Sequence, residues 1–118
     1  MKRTTTAIAA AALFACSMLA DVASAQTWPA RPVTIVVTFA PGGSSDIVAR
    51  LLQAPLQAAL GQPVLVDNKP GAGGTIGAAL IAKAPADGYT LLLSNSAPIS
   101  ISPFMLAEKT YDPVKSFT

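Results

Sequence analysis

The sequence predicts an α/β fold with elements in the order β-α-β-α-β around a parallel sheet. Three observations predict it. Val33–Phe39 is β-branched apart from its last residue, the composition of a strand covered on both faces. Twice a glycine-rich stretch, Pro41-Gly42-Gly43 and then Asn68–Gly74, joins such a run to a segment with helical spacing. A third run, Tyr89–Leu93, completes the order. Strands alternating with helices pair in parallel through right-handed crossovers.

Residues 1–25 are expected to be a secretory signal peptide rather than part of this fold. Met1-Lys2-Arg3 is basic, Ala7–Leu19 is apolar, and Ala23-Ser24-Ala25 fits a small-x-small cleavage site before Gln26. The apolar run is short for a membrane span. The alternatives are an uncleaved membrane anchor, which that length disfavours, and a lipoprotein signal ending at Cys16, whose pattern Phe14 fits poorly. Residues 26–118 then have the length of one small domain. Gln26–Pro32, which contains Trp28, reads as an extended lead-in to the first strand.

After that strand, Ser44 or Ser45 is placed to cap a helix, with Asp46 in its first turn. Val48, Leu51, Leu52, Leu56, Ala59 and Leu60 recur at helical spacing and are expected to face the sheet. Gly61 suits the position just past the helix end. Pro55 conflicts with this helix, since it removes a hydrogen bond to the Leu51 carbonyl and favours a kink. Pro63–Asp67 reads as the second strand and Thr75–Ala84 as a short helix with Ile76, Leu80 and Ile81 on one side. Pro85-Ala86-Asp87-Gly88 is a turn. Ala97–Thr118 has three prolines and no sustained period, and the chain reads as cut off at its end.

Composition excludes several function classes. There is no histidine, and Cys16, the single cysteine, lies in the signal. A cleaved chain therefore lacks disulfides, the usual zinc ligands, and the parts of Cys–His and Ser–His–Asp machinery. No cofactor or metal is expected. The net charge is +2, and loss of Lys2, Arg3 and Asp21 lowers it by one. The remaining basic residues are scattered and aromatics are few, so no nucleic-acid partner is expected.

In an open parallel sheet, ligands bind beyond the carboxyl ends of the strands, where strand order reverses. With the first strand central, Thr38–Ser45 and Ser94–Ser96 converge there, and Asn68–Thr75 lies on the same edge. These loops offer amides and hydroxyls, chemistry for holding a small anion rather than for breaking a bond. The stretch Phe39-Ala40-Pro41-Gly42-Gly43-Ser44-Ser45-Asp46 carries the strongest signal, because a strand turning through glycines into a helix leaves N–H groups unpaired at the helix start. Read alone, the same turn is equally a tight connection, and Asp46 equally a complement to the helix dipole. Ser94 and Ser96 are alternatively caps, Lys69 a solvated loop charge, and Trp28 and Tyr89 packing residues. Arg50 and Lys83 are expected to face water. Gly71-Ala72-Gly73-Gly74-Thr75-Ile76 fails the dinucleotide spacing, since Ile76 stands where the third glycine belongs.

Six segments in order carry a resemblance. They are Arg31-Pro32-Val33, Phe39–Asp46, Leu60-Gly61-Gln62-Pro63-Val64, Asp67–Gly74, Ala84–Leu91 and Tyr111-Asp112-Pro113-Val114-Lys115. Together they resemble the extracytoplasmic (Bug-type) solute receptors of the tripartite tricarboxylate transporter family, over essentially all of residues 26–118. The resemblance implies a monomeric periplasmic receptor, without catalysis, built from two α/β lobes of the type II-like binding-protein architecture. Residues 26–118 would be part of the first lobe, with the second absent. It also implies a small carboxylate ligand and delivery to the membrane permease subunits. The carboxylate-gripping residues it implies are Phe39, Ala40, Pro41, Gly42, Gly43, Ser44 and Asp46 in the first loop, and Ser94, Asn95 and Ser96 in the third. Two other readings compete: a fragment of a nucleotide-dependent α/β enzyme, and a nonfunctional product of a truncated gene.

Overall fold

Val33–Val37 forms β1, Val64–Asn68 forms β2 and Thr90–Leu93 forms β3 in a parallel sheet ordered β2-β1-β3. The computed structural model describes residues 27–117. The expected signal peptide, its cleavage point after Ala25, and Cys16 lie outside the described residues. The central place of β1 follows from its composition: Val33, Ile35, Val36 and Val37 are all buried, as a strand covered on both faces requires. Val33 pairs with Val64 and Val37 with Asn68 on one side, and Thr34 with Thr90 and Val37 with Leu93 on the other. All three strands therefore end at one edge of the sheet.

Helix α1, Ser44–Leu60, joins β1 to β2. Its start differs from the sequence expectation. Gly43 is the N-cap residue and no side chain caps the helix, so neither Ser44 nor Ser45 has that role. Asp46 acts instead from within the first turn, its carboxylate accepting the Gly42 N–H at 2.9 Å. Gly61 ends the helix in the left-handed region, at φ 65°, and its N–H donates to the Gln57 carbonyl. Pro55 lies inside the helix without splitting it.

The buried face of α1 is also not the one its apolar residues predict. Val48, Leu51 and Leu52 are exposed, as is Ile47. The inward stripe is Asp46, Ala49, Gln53, Leu56 and Leu60, again at helical spacing. Ala49, Leu56 and Leu60 pack with Ile35, Val37 and Val64 in the core. Gln53 donates to the Val64 carbonyl at 2.7 Å, and the Gln57 side-chain oxygen accepts the Val64 N–H. Two glutamines thus fasten the helix to the first residue of β2, work that an apolar pattern cannot reveal.

Helix α2, Thr75–Ala82, follows a 3₁₀ turn at Ala72–Gly74 and joins β2 to β3. It lies on the opposite face of the sheet from α1. Successive strand side chains alternate between faces, so Thr34, Val36 and Thr38 point away from Ile35 and Val37. A Cβ on Gly77 of α2 would stand 3.0 Å from the Thr38 methyl and 2.9 Å from the Lys69 carbonyl oxygen. Gly77 therefore sets how closely this helix approaches the sheet. After β3 the chain forms a π-helical turn, Ala97–Ile101, and a single helical turn, α3, Ser102–Met105. The sequence showed no period here. The order comes from a tertiary contact, the Tyr111 hydroxyl donating to the carbonyl of buried Pro98.

Candidate functional site

The three loops that leave the carboxyl ends of the strands meet as expected. Thr38, fully buried, continues β1, and its hydroxyl lies 2.7 Å from that of Ser94 at the end of β3. The Lys69 N–H donates to the Val37 carbonyl at 2.8 Å, holding the start of the second loop beside the first. Gly74 sits between the other two loops, since a Cβ there would be 3.2 Å from the Phe39 ring and 3.1 Å from Pro98. At φ +93° its backbone also favours glycine. Gly74 thus brings the second loop against Phe39 of the first loop and against Pro98 of the π-helical turn that follows the third.

The first loop is held from beneath by a polar network. The Asp46 carboxylate is 4% exposed and takes three donors. Oδ2 accepts from the Gly42 N–H and from Arg50 Nε, each at 2.9 Å, and Oδ1 accepts from Asn68 Nδ2 at 3.0 Å. Asn68 Nδ2 also donates to the Phe39 carbonyl at 3.0 Å. These donors hold the Asp46 pKa down at about 2, the Arg50 guanidinium foremost and then the Gly42 amide, against the opposing effect of burial. The same contact raises the Arg50 pKa, and it anchors a side chain that otherwise reaches water.

A helix start leaves four N–H groups without intrahelical partners. Here they belong to Gly43, Ser44, Ser45 and Asp46. The Gly43 N–H goes to the Ala40 carbonyl at 3.3 Å, and the preceding Gly42 N–H goes to Asp46. The Ser44, Ser45 and Asp46 amides are left at the positive end of α1, and of these Ser44 and Ser45, with their hydroxyls, lie toward the surface while Asp46 is buried. Ala40, Pro41, Gly42 and Ser44 are exposed, while Phe39, Gly43 and Ser45 are half-buried. With Asp46 paired to Arg50, the turn confronts an incoming anion with the helix dipole and no bare negative charge.

The third loop divides its expected residues in the same way. Ser94 faces inward to Thr38, whereas Asn95 and Ser96 are exposed. Asn95 Oδ1 accepts the Ala97 N–H at 3.0 Å, so Asn95 supplies the turn expected of Ser94 or Ser96. Lys69 pairs with Asp67 at 3.0 Å on the surface. Trp28 and Tyr89 do pack together, with ring centroids 6.0 Å apart and Arg31 over the Tyr89 ring. Among the described residues no group of His, Cys, Asp and Glu is arranged to hold a metal, and no helix is long and apolar enough to cross a membrane.

Thr38, Ser45 and Asn68 fall in the loops expected to converge at this edge, but they were not among the residues expected to grip a ligand. Asn68 carried a signal, since a polar amide that opens a glycine-rich loop just after a strand is placed to bond neighbouring backbone.

Comparison with known proteins fits this geometry. The chain is 56% identical over 84 residues to protein BugT of Bordetella pertussis, an alignment covering 70% of this chain and 26% of BugT. Its fold matches the periplasmic binding protein BugD with a TM-score of 0.71 at 45% identity, covering 75% of this chain and 29% of BugD. It matches MatC (Rpa3494) from Rhodopseudomonas palustris, solved with bound malate, with a TM-score of 0.72 at 42% identity, covering 77% of this chain and 31% of MatC. The chain thus spans between a quarter and a third of the length of these relatives. Residues 48–118 match the model of the tripartite tricarboxylate transporter family receptor. With more than half its length matched by a receptor model, and with periplasmic binding proteins as its structural neighbours, the chain belongs to the tripartite tricarboxylate transporter receptor family, a family of solute receptors rather than enzymes.

Proposed function

We propose that this chain supplies one wall of a periplasmic receptor that binds a small carboxylate and hands it to the membrane permease of a tripartite tricarboxylate transporter. The observation that carries the reading is the set of donors at the start of α1. Gly43 caps the helix without a side chain, and the Ser44 and Ser45 amides have no intrahelical acceptor. Asp46, the acid of that first turn, faces inward and is paired with Arg50.

In this proposal one carboxylate group of the ligand accepts from the Ser44 and Ser45 amides and hydroxyls. Phe39, Ala40, Pro41, Gly42 and Gly43 shape the rim around it. Ser94, Asn95 and Ser96 form the far side, with Asn95 and Ser96 reaching solvent. Asp46 serves from beneath by fixing Gly42. Residues 26–118 form part of the first lobe, residues 1–25 direct export, and the receptor works as a monomer. A second lobe would supply the opposing wall and choose among acids. Malate, the ligand of MatC, makes a C4 dicarboxylate the first candidate.

The test is a titration of the isotopically labelled chain with malate, followed by amide NMR. Saturable shifts at Ser44 and Ser45, absent with adenosine nucleotides, are expected. Shifts produced by nucleotides and not by any carboxylate would sink the receptor reading.

A further inference from the structure

The first loop is fastened by a side chain that belongs to neither of the elements it joins. Asn68 closes β2, and the two hydrogens of its side-chain amide go to two different places. One reaches the Phe39 carbonyl, where the loop leaves β1, and the other reaches Asp46 Oδ1, where α1 begins. Both partners are pure acceptors, which fixes the amide with its nitrogen toward them. Asp46 passes the constraint on through Oδ2 to the Gly42 N–H. Phe39, Gly42 and the first turn of α1 are therefore referred to one point on a neighbouring strand.

We propose that Asn68 is a positioning residue for the carboxylate-binding turn, holding the Phe39 carbonyl and Asp46 so that the Ser44 and Ser45 amides are aimed before a ligand arrives. This rests on the carboxylate reading of the turn given above. The chemistry demands asparagine specifically. Aspartate at this position would set an acceptor against the Phe39 carbonyl and a second negative charge against Asp46. Alanine would leave both acceptors unpaired in a partly buried place. A turn already in its bound shape spares the ligand the cost of ordering it, which shows as affinity. The backbone of Asn68 pairs with Val37 in the sheet, so changing its side chain leaves the ladder in place.

The experiment compares the chain with its Asn68→Ala and Asn68→Asp variants. Amide hydrogen exchange is followed at Gly42 and at the β1 core residues Ile35 and Val36, and malate affinity by NMR titration. The expected result is faster exchange at Gly42 with unchanged exchange at Ile35 and Val36, and malate binding weakened by about tenfold, the scale of one lost buried hydrogen bond. Three results would overturn the proposal: exchange at Gly42 equal to wild type, exchange rising at Gly42 and the core together, or a loosened Gly42 with malate affinity intact. If the unaltered chain binds no malate, the carboxylate reading fails on that count, and the Gly42 comparison decides by itself whether Asn68 positions the turn.

Discussion

Asp46 stays ionised wherever the pH lies above about 2, and its partners are the reason. The folded value is depressed from 3.8, so the stability this group adds is present above about 3.8 and is lost as pH falls through the folded value. Melting temperatures of the chain and of Asp46→Asn, compared as a function of pH, are expected to converge as the pH falls from 3.8 toward 2. A difference that persists or widens there would contradict the assignment. Gly77 makes a second residue-scale prediction. Its hydrogen faces the Lys69 carbonyl oxygen and Thr38, both held by the sheet, so Gly77→Ala is expected to push α2 outward and cost about 1–3 kcal/mol, read from chemical denaturation. Gly43 behaves differently. Its φ is an ordinary negative one, and a Cβ there would meet a single neighbour, the Ala40 carbonyl oxygen at 3.3 Å. Gly43→Val is expected to keep the fold and weaken carboxylate binding by crowding the approach to the Ser44 amide. Unchanged affinity would remove Gly43 from the rim.

At the scale of the element, how well the sequence foretold each piece depended on what covers it. Strand β1 was legible because burial on both faces leaves one solution, a run of Val, Ile and Thr. The meeting of loops at the strand ends followed from parallel order alone. Helix α1 was legible as a helix but not in its orientation. Its most apolar stripe, Ile47, Val48, Leu51 and Leu52, faces outward, while Asp46, Gln53 and Gln57 hold polar contacts inward or at the edge of β2. Periodicity measures how apolar a face is and not whether its polar groups find partners. The candidate site was legible as a loop cluster. The division between residues facing a ligand and residues bracing the loop was not, because it depends on contacts such as Asn68 with Phe39, 29 positions apart. Pro55 gives a prediction here. It sits at an exposed position inside α1, so Pro55→Ala restores a hydrogen bond to the Leu51 carbonyl and is expected to raise the melting temperature. A fall would mean that the rigidity proline gives the unfolded chain outweighs that bond.

At the scale of the whole molecule, outward apolar groups are numerous. Leu51 is 70% exposed, Phe104 74% and Val114 83%, with Ile47, Val48 and Leu52 beside the first of these. Ile47, Val48, Leu51 and Leu52 share one face of α1, and an exposed apolar stripe of this kind marks a surface that binds apolar partners or dyes. The chain is expected to bind an apolar fluorescent dye there, and Leu51→Gln to lessen the binding. Fluorescence titration checks this, and indifference to the substitution would place the dye elsewhere. The sheet order carries a kinetic consequence as well. No two neighbouring strands of the sheet are joined by a hairpin. Joining β1 to β2 closes a loop of about 30 residues, the shorter of the two closures, since loop entropy grows with length. Pairing β3 with β1 in the open chain closes a longer one, as Thr38 and Ser94, which join those strand ends, are 56 positions apart. During folding β1 and β2 should find each other first, with β3 and the turn after it arriving last. The Asn68 brace, which needs only β1, α1 and β2, would then be in place before the far side of the ligand wall exists.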